Sequence, residues 1–388
     1  MPSYPPSHPP SHPPSHPFSA LDHAYMAQAL RLAEKGLDTT SPNPRVGCVI
    51  VRDGQVVGTG WHERAGQPHA EVNALRAAGA AARGATVYLT LEPCSHHGRT
   101  PPCAEALVEA GVAKVIVAMQ DPNPLVAGKG YALLKEAGIE VQAGLMEAEA
   151  TTLNIGFVSR MTRNRPWVRM KIAASLDGKT ALNNGTSQWI TGEAARRDGH
   201  RMRARSCAIL TGIGTVLADN PELSVRHVET SRQPLRVVVD SRLDIPLDAR
   251  LLRGAGELVF TANSSEGKIM ALHDVGARAI VVPDSDSGNR VDLTGMMRML
   301  ADFEINEVMV EAGRTLNGAL IAAGLVDELV IYLAPYLIGD EAQGMLKLTE
   351  LTDLSKKRKL EIRDIRMMGP DIRLIAHFPA RFSDDKLV

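Results

Sequence analysis

The 388-residue chain is short of several kinds of residue, and each shortage argues against a class of function. Four cysteines, Cys48, Cys94, Cys103 and Cys207, are too few for a disulfide framework, and such cysteines more often serve metal binding or catalysis. Aromatic residues make up 4% and the formal net charge is −1, which argues against a base-stacking or strongly basic nucleic-acid surface. Because no run of about eighteen apolar residues occurs, no membrane span and no membrane partner are expected.

The chain begins instead with a run of Pro, Ser and His, in which Ser-His-Pro recurs around His8, His12 and His16. This density of proline favours an extended chain that packs no core, so residues 1–19 are predicted to form a disordered tail. Metal capture by these histidines is the less favoured interpretation. The tail lacks the features of a signal peptide, and we therefore expect a cytoplasmic protein.

The length exceeds the usual size of one hydrophobic core and predicts two domains. The polar, basic stretch 161–166 has no apolar periodicity and is interpreted as a linker between domains 20–160 and 167–388. In the first domain, apolar patterns predict helices alternating with strands, which indicates an α/β sandwich with helices on both faces. The predicted helices are 22–36, 70–82, 102–110 and 130–137, and the predicted strands are 48–51, 56–60, 86–91, 114–119 and 139–143.

Four residues of the first domain have the chemistry of a zinc-dependent deaminase. His69 offers an imidazole nitrogen and Cys94 and Cys103 offer thiolates, which leaves the fourth tetrahedral position for water. Glu71 follows His69 by two residues and is predicted to carry the proton from water to the leaving amine. The general signature is H-x-E followed by P-C-x-x-C, whereas here eight residues separate the two cysteines.

Less specific interpretations remain open at this point. The cysteines are also compatible with burial in a core, His69 with a helix cap, and Glu71 with a favourable first-turn carboxylate. A closed structural site that adds His62, His96 or His97 would leave Glu71 without a role. The polar loop 95–101 fills the long spacing, and we expect its Arg99 to contact an anionic part of the substrate.

In the second domain, strands are predicted at 167–174, 208–211, 235–240, 257–261 and 279–282. Thr191 is the expected N-cap of a helix that carries five arginines, most of them expected on a solvated face and one or two available for phosphate: Arg196, Arg197, Arg201, Arg203 and Arg205. The Gly212–Gly214 pair is a weak nucleotide signal. The segment 308–318 predicts a strand that leads through a glycine turn into a helix, where N–H groups can bind cofactor phosphates.

The motifs of the first domain together resemble the bifunctional riboflavin-biosynthesis deaminase–reductase family. They are Ser41-Pro-Asn-Pro-Arg-Val-Gly47, Ala65-Gly66-Gln67-Pro68-His69-Ala70-Glu71, Leu91-Glu92-Pro93-Cys94, Gly98-Arg99-Thr100-Pro101-Pro102-Cys103 and Asp121-Pro122-Asn123-Pro124. The long cysteine spacing is normal in that family. The resemblance implies a cytidine-deaminase-like three-layer α/β/α domain that binds one Zn2+, followed by a dihydrofolate-reductase-like α/β domain.

The second domain resembles the NADPH-dependent reductase half of the same family. The matching stretches are 171–179, 187–190, Thr215 with Asp219, Glu311 with Gly313, and 326–329 followed by 334–335. The implied cofactor-binding residues are Ala173, Trp189, Thr215, Asp219, Gly313, Arg314, Thr315, Leu316 and Asn317. The implied substrate-binding residues are Ser187, Arg203, Leu223, Arg226 and Glu311. A core position for Trp189 and an ordinary surface position for Arg226 are the alternatives, and Cys207 is interpreted as structural.

The family resemblance implies deamination of a phosphorylated ribosylaminopyrimidine, then reduction of its ribosyl group with NADPH, and it makes a homodimer plausible. One alternative is a nucleic-acid base deaminase with an accessory domain. Another is an inert binding module stabilised by zinc.

Overall fold

The computed structural model describes residues 18–95, 102–254 and 256–379, which fall into two compact units. The first unit includes the chain up to Gly36, Val46–Glu63 and Gln67–Leu153. The second includes Leu37–Arg45, Arg64–Gly66 and the chain from Asn154 onward. The predicted tail therefore lies almost wholly outside the described residues. Within the described ranges, none of the helices has both the length and the apolar content required to cross a membrane.

The first unit is a five-stranded sheet with the strand order β2-β1-β3-β4-β5. Its strands are β1 (Gly47–Arg52), β2 (Gln55–Trp61), β3 (Thr86–Leu91), β4 (Lys114–Met119) and β5 (Glu140–Ala143). Its helices are α1 (Ala20–Glu34), α2 (Ala70–Ala78), α3 (Cys103–Ala110), α4 (Lys129–Glu136) and α5 (Glu147–Leu153). Strand β1 is antiparallel to β2 and β3, whereas β3, β4 and β5 run parallel. The predicted helix 70–82 is too long by four residues. Helix α2 ends at Ala78, because its C-cap Gly79 adopts a positive φ of 52° and begins a short 3-10 turn.

Helix α2 packs unusually close to strand β2, and glycine on the strand makes this possible. A Cβ atom on Gly60 would lie 2.4 Å from the carbonyl oxygen of Ala70, and one on Gly58 would lie 2.4 Å from that of Ala74. Ala70 and Ala74 are themselves fully buried. Backbone-to-backbone packing therefore places the start of α2, and the residue before it, against the sheet.

The second unit is built on a nine-stranded sheet with the order β11-β10-β9-β8-β12-β6-β13-β16-β15, beside a two-stranded ribbon, β7 and β14. The strands are β6 (Trp167–Ser175), β7 (Lys179–Ala181), β8 (Ala208–Gly212), β9 (Leu235–Val239), β10 (Leu258–Thr261), β11 (Arg278–Val281), β12 (Glu307–Val310), β13 (Glu328–Ala334), β14 (Gln343–Gly344), β15 (Glu361–Met368) and β16 (Asp371–His377). The helices are α6 (Ile155–Arg163), α7 (Glu193–Arg205), α8 (Ile213–Asp219), α9 (Glu266–Asp274), α10 (Leu293–Asp302) and α11 (Arg314–Ala322). Helix α6 includes the first three residues of the segment interpreted as a linker, 161–166.

Seven neighbouring strands, β11 to β13 in the sheet order, pair in parallel, and β16 and β15 close the sheet in antiparallel fashion. The core between this sheet and its helices is apolar, with Met170, Leu210, Val308 and Val310 completely buried. A parallel sheet brings the carboxyl ends of β8 and β12 to one edge, where ligands of α/β proteins usually bind. One expectation was wrong here, because the N-cap of α7 is Gly192 instead of Thr191. The Gly212–Asp219 segment, for which no helix was predicted, contains α8.

At the start of β12, Glu307 is a buried carboxylate surrounded by arginines. It lies 2.7 Å from Arg45, 3.2 Å from Arg169 and 3.3 Å from Arg205. Burial alone would raise the pKa of Glu307, but Arg205, Arg45 and Arg169 more than offset it, and its pKa lies well below the ordinary range. The pair network therefore stabilises the folded second unit only while Glu307 is ionised.

This cluster predicts an acid-sensitive second unit. Because the folded-state pKa of Glu307 is depressed, its stabilisation is complete above the unfolded value of about 4.3 and is lost as the pH falls below it. We expect the free energy of unfolding to fall from pH 6 to pH 3. Glu307→Gln should lower stability by about 3–5 kcal/mol at pH 6 and flatten that pH dependence. Chemical denaturation across this pH range is the measurement, and an equally steep profile in the variant would contradict the prediction.

Candidate active sites

Three elements of the first unit bring His69, Cys94 and Cys103 together. His69 is the N-cap residue of α2, Cys94 follows the end of β3, and Cys103 is the first residue of α3. The backbone N–H of Cys103 donates to Sγ of Cys94 at 3.3 Å, and the N–H of Ala104 donates to the carbonyl oxygen of Cys94 at 3.1 Å. The start of α3 is thus hydrogen-bonded directly to Cys94, three residues after the end of β3.

The three side chains have the spacing of a metal site. One ligand atom from each residue lies within 4.8 Å of the others. Nδ1 of His69 is 3.7 Å from Sγ of Cys94 and 3.3 Å from Sγ of Cys103. Nitrogen and sulfur ligands of a tetrahedral zinc ion lie roughly 3.6 Å apart, given Zn–N and Zn–S bonds of about 2.1 and 2.3 Å. The donor set and its spacing therefore fit zinc, with Nδ1 as the histidine ligand atom.

The surroundings of Cys94, Cys103 and Glu71 shift the pKa values of all three side chains. Hydrogen bonding from Cys103 lowers the pKa of Cys94 to about 4, whereas the same bond raises the pKa of Cys103. Burial raises the pKa of Glu71 to about 7, against the opposing effect of His69. Glu71 is 3% exposed in the first turn of α2, on the same side as the ligand cluster. A buried carboxyl group with a pKa near neutrality suits proton transfer in both directions.

A closed structural zinc site would need a fourth protein ligand, and His62 is the candidate that lies among the described residues. His62 is buried, its ring contacts that of His69 at 5.2 Å, and its Nδ1 lies 3.2 Å from the carbonyl oxygen of Pro68. Among the described residues, the group at metal-ligand spacing contains His69, Cys94 and Cys103, and His62 is not part of it. His96, His97 and the loop residue Arg99 lie outside the described residues, so the prediction for that loop stays a prediction.

In the second unit, Arg203 and Glu311, whose side chains are 14% and 12% exposed, form a bidentate ion pair just after the end of β12. Nη2 of Arg203 is 2.9 Å from Oε2 of Glu311, and Nη1 donates to the carbonyl oxygen of Ser224 at 2.9 Å. Lys171 on β6 approaches the same carboxylate at 3.8 Å. Burial opposes ionisation, but Arg203 and Lys171 lower the pKa of Glu311 to about 2.

A short loop next to this pair contains two more predicted substrate contacts. Leu223 is buried with a positive φ of 51°, and Arg226 is exposed, with its Nη1 2.8 Å from Oε2 of Glu222. The backbone N–H of Arg226 donates to Nδ1 of His200 at 3.0 Å. Burial, followed by the charges of Arg203 and Arg226, lowers the pKa of His200 to about 4, so this ring accepts as a neutral group. Ser187 is half-buried on a different segment of the unit.

Six of the predicted cofactor residues lie at or beside the start of α11: Thr215, Gly313, Arg314, Thr315, Leu316 and Asn317. Gly313 is its N-cap, and a Cβ on Gly313 would lie 3.8 Å from Oγ1 of Thr215. The side chain of Leu316 packs over Gly212, and a Cβ on Gly212 would lie 3.2 Å from Cδ2 of Leu316. Asn317 is 2% exposed and donates to the carbonyl oxygen of Ala312 at 3.1 Å.

The remaining predicted cofactor contacts are more open. Ala173 is half-buried on β6, while Asp219, Arg314 and Thr315 are exposed. Trp189 is 71% exposed with the guanidinium of Arg196 4.8 Å from its ring, so the alternative of a core tryptophan was wrong. An exposed, cation-stacked indole is available to a planar ligand.

Sequence reasoning missed three residues that help to build these sites: Glu92, Lys171 and His200. Glu92 was noted only as part of a motif, although its charge two residues before the predicted ligand Cys94, at an otherwise apolar strand end, is a usable signal. Lys171 interrupts an apolar strand, and a buried lysine usually has a specific partner. His200 carried no signal, because one histidine in an arginine-rich helix is unremarkable in sequence.

Two protein families match the chain in the order of its two units. Residues 19–119 match the cytidine and deoxycytidylate deaminase zinc-binding region, and residues 166–374 match the RibD C-terminal domain. The protein is therefore a zinc-binding deaminase joined to a reductase, with a cytidine-deaminase-like domain followed by the RibD-type reductase domain.

Whole-chain relatives narrow this class. The chain is 49% identical over 365 residues to riboflavin biosynthesis protein RibD of Escherichia coli, covering 91% of this chain and 98% of that protein. It superposes on a structure of Acinetobacter baumannii RibD with a TM-score of 0.86 at 45% identity, covering 93% of this chain and 99% of that one. It also superposes on a structure of a Thermotoga maritima diaminohydroxyphosphoribosylaminopyrimidine deaminase/5-amino-6-(5-phosphoribosylamino)uracil reductase. The TM-score is 0.82 at 32% identity, and the match covers 92% of this chain and 99% of that one. The chain belongs to the RibD family and is a bifunctional enzyme of riboflavin biosynthesis.

Proposed function

We propose that the first unit hydrolyses the 2-amino group of 2,5-diamino-6-ribosylamino-4(3H)-pyrimidinone 5′-phosphate and releases ammonia. The second unit then reduces the ribosyl group with NADPH to give 5-amino-6-ribitylaminouracil 5′-phosphate. The observation that carries the proposal is the ligand-spaced cluster of His69, Cys94 and Cys103 with a buried carboxyl group, Glu71, beside it. The name of the Thermotoga maritima relative supports the choice of substrate.

In the deamination site, His69, Cys94 and Cys103 would hold one zinc ion. Zinc supplies a Lewis acid that makes a water molecule nucleophilic near neutral pH. Glu71 accepts a proton from the attacking water and returns it to the departing amine, so the substrate loses ammonia and gains a carbonyl oxygen. Cys94 and Cys103 would bind the metal as thiolates, so metal binding would release the protons that their thiols carry.

In the reduction site, the described residues fit a phosphate-bearing cofactor. The start of α11 presents the backbone N–H groups of Gly313, Arg314 and Thr315, which suits an anion. Among the described residues, Oδ1 of Asn317 is buried without a hydrogen-bond partner, so an acceptor is free beneath the turn that begins α11. NADPH supplies the hydride. The proposed cofactor contacts are Ala173, Trp189, Thr215, Asp219, Gly313, Arg314, Thr315, Leu316 and Asn317.

Substrate binding in the second unit is proposed for Ser187, Arg203, Leu223, Arg226 and Glu311. The buried carboxylate of Glu311 holds the Arg203 guanidinium in a fixed orientation, and a fixed guanidinium suits phosphate or hydroxyl recognition. The division into domains 20–160 and 167–388, a homodimer and a cytoplasmic location also belong to this proposal.

The test follows both reactions in one assay. The purified, zinc-loaded protein is incubated with the diamino substrate while ammonia release and NADPH oxidation are recorded. We expect the protein to release ammonia in the absence of NADPH. Once NADPH is added, we expect the amount oxidised to be proportional to the amount of ammonia released. Removal of zinc by a chelator should abolish ammonia release but leave reduction of the already deaminated compound intact. If the protein instead released ammonia from single-stranded nucleic acid, the base-deaminase alternative would be supported. If removal of zinc abolished both deamination and reduction, the proposal of two independent sites would be contradicted.

A further inference from the structure

Glu92, which lies between the end of β3 and the ligand Cys94, is the acceptor for a cluster of backbone N–H groups. It is 3% exposed. Its Oε2 accepts from the N–H groups of Asp121 at 3.2 Å and Gly128 at 3.0 Å. Its Oε1 accepts from Gly130 at 2.9 Å and Tyr131 at 3.4 Å. A single buried carboxylate thus fixes residues that span a loop and the first turn of the next helix.

The four donors belong to the segment 121–131, which follows β4 and begins α4. Strands β3 and β4 are parallel neighbours with Leu91 opposite Met119, so their carboxyl ends open at one edge of the sheet. The N–H of Glu92 also donates to the carbonyl oxygen of Met119 at 3.0 Å, which extends this pairing by one residue. Cys94 and the segment 121–131 therefore leave the sheet side by side, with Glu92 hydrogen-bonded between them.

The start of α4 packs tightly against the segment that leads from β3 to Cys94. A Cβ on Gly130 would lie 2.2 Å from the carbonyl oxygen of Pro93, so the start of α4 lies directly against the residue before Cys94. Within the segment, Oδ1 of Asp121 accepts from the N–H of Asn123 at 2.8 Å, and Oδ1 of Asn123 accepts from that of Leu125 at 3.0 Å. The turn is internally ordered, and Glu92 fixes the ordered unit relative to the metal-ligand segment.

We propose that Glu92 is a positioning residue for the deamination substrate. By holding the segment 121–128 beside Cys94, at the edge of the sheet where ligands of α/β proteins usually bind, it sets the distance between the proposed zinc ligands and the segment against which the pyrimidine would pack. This inference rests on the proposed deamination of a pyrimidine at His69, Cys94 and Cys103. The zinc ligands keep their own contacts, so loss of Glu92 affects substrate binding more than metal binding.

The conservative substitution Glu92→Gln separates charge from shape. A glutamine amide keeps one acceptor oxygen but turns an NH2 group toward the N–H donors that the other oxygen served. We expect about a tenfold increase in the KM of deamination, because the segment proposed to contact the substrate loses hydrogen bonds to a charged acceptor. The kcat of deamination should change less than threefold. Zinc content and reduction of the deaminated compound should match the wild type.

Asp240→Asn in the second unit is the matched control. Asp240 is also fully buried and caps a loop, accepting from the N–H of Ile245 at 2.8 Å and from that of Arg242 at 3.3 Å. If Glu92 were merely structural, both variants would lower stability and neither would change the KM of deamination. A KM for Glu92→Gln within twofold of the wild type, or loss of zinc from it, would overturn the proposal.

Amide hydrogen exchange decides the positioning role without any substrate. In Glu92→Gln, exchange across 121–131 should become faster, while exchange across α2 stays unchanged. If the wild type fails to deaminate the proposed compound, the proposed substrate is wrong but this measurement still reports on Glu92. Unchanged exchange across 121–131 would overturn the positioning role by itself.

Discussion

Replacing Glu71 with glutamine is expected to lower the kcat of ammonia release by about 10^2–10^4, the usual contribution of general acid–base catalysis. Glutamine has the same shape but cannot accept a proton from water and return it to the leaving amine. Because Glu71 is buried, bulk solvent has little access to replace the lost group. Ammonia release at saturating substrate is the measurement. Zinc content and NADPH-dependent reduction of the deaminated compound should stay within about twofold of the wild type.

Glu109→Gln is the matched control for this variant, because Glu109 is an exposed carboxylate on α3, the helix that begins with Cys103. It should leave both activities unchanged. An inert zinc-stabilised module predicts no difference between the two variants. Retention of more than a tenth of the deamination rate in Glu71→Gln would contradict the role assigned to Glu71.

Removing the guanidinium of Arg203 should have the second large effect. Arg203→Met is expected to lower the kcat/KM of the reduction by about 10^2, because charge-assisted hydrogen bonds are lost at the proposed substrate site. It also leaves the buried carboxylate of Glu311 with Lys171 alone, so stability should fall by about 3 kcal/mol. Deamination and zinc content should not change. NADPH oxidation with the deaminated compound, beside chemical denaturation, measures both effects.

A double variant distinguishes recognition from stability. In Arg203→Met with Glu311→Gln, both charges of the pair are removed, so part of the lost stability should return while the reduction remains slow. Arg201→Met, an exposed arginine on the same helix α7, should behave like the wild type. Recovery of the reduction together with stability would show that the pair is structural and that Arg203 does not contact substrate.

Regular elements with strong local signals were predictable from sequence. Strands β3 and β4 have the predicted bounds, Thr86–Leu91 and Lys114–Met119, because each is a short run of β-branched and apolar residues buried in a sheet. The cluster of His69, Cys94 and Cys103 was also predictable, since each residue type at its place in a strand–helix junction has one dominant chemistry. The structure adds the distances that local sequence lacks.

Other features were hidden because they depend on backbone groups or on distant neighbours. Helix α8 was missed because Gly214 lowers local helix propensity, and the burial of Val216 against the sheet overrides it. The role of Glu92 was hidden because its partners are four N–H groups, and a backbone N–H carries no residue identity. Trp189 was placed in a core or at a cofactor with equal reason, since only the fold shows that its ring is exposed.

Gly58 and Gly60, which allow β2 to pack against α2, limit how this enzyme can be redesigned. Any side chain at Gly58 or Gly60 would collide with the backbone of α2, the helix that begins next to His69 and carries Glu71. Substitutions at these two glycines therefore cannot shift the carboxyl group of Glu71 gradually to suit a different heterocycle. Directed evolution toward new amine substrates should accumulate changes in the loops after β3 and β4, while the two glycines stay invariant in every active clone.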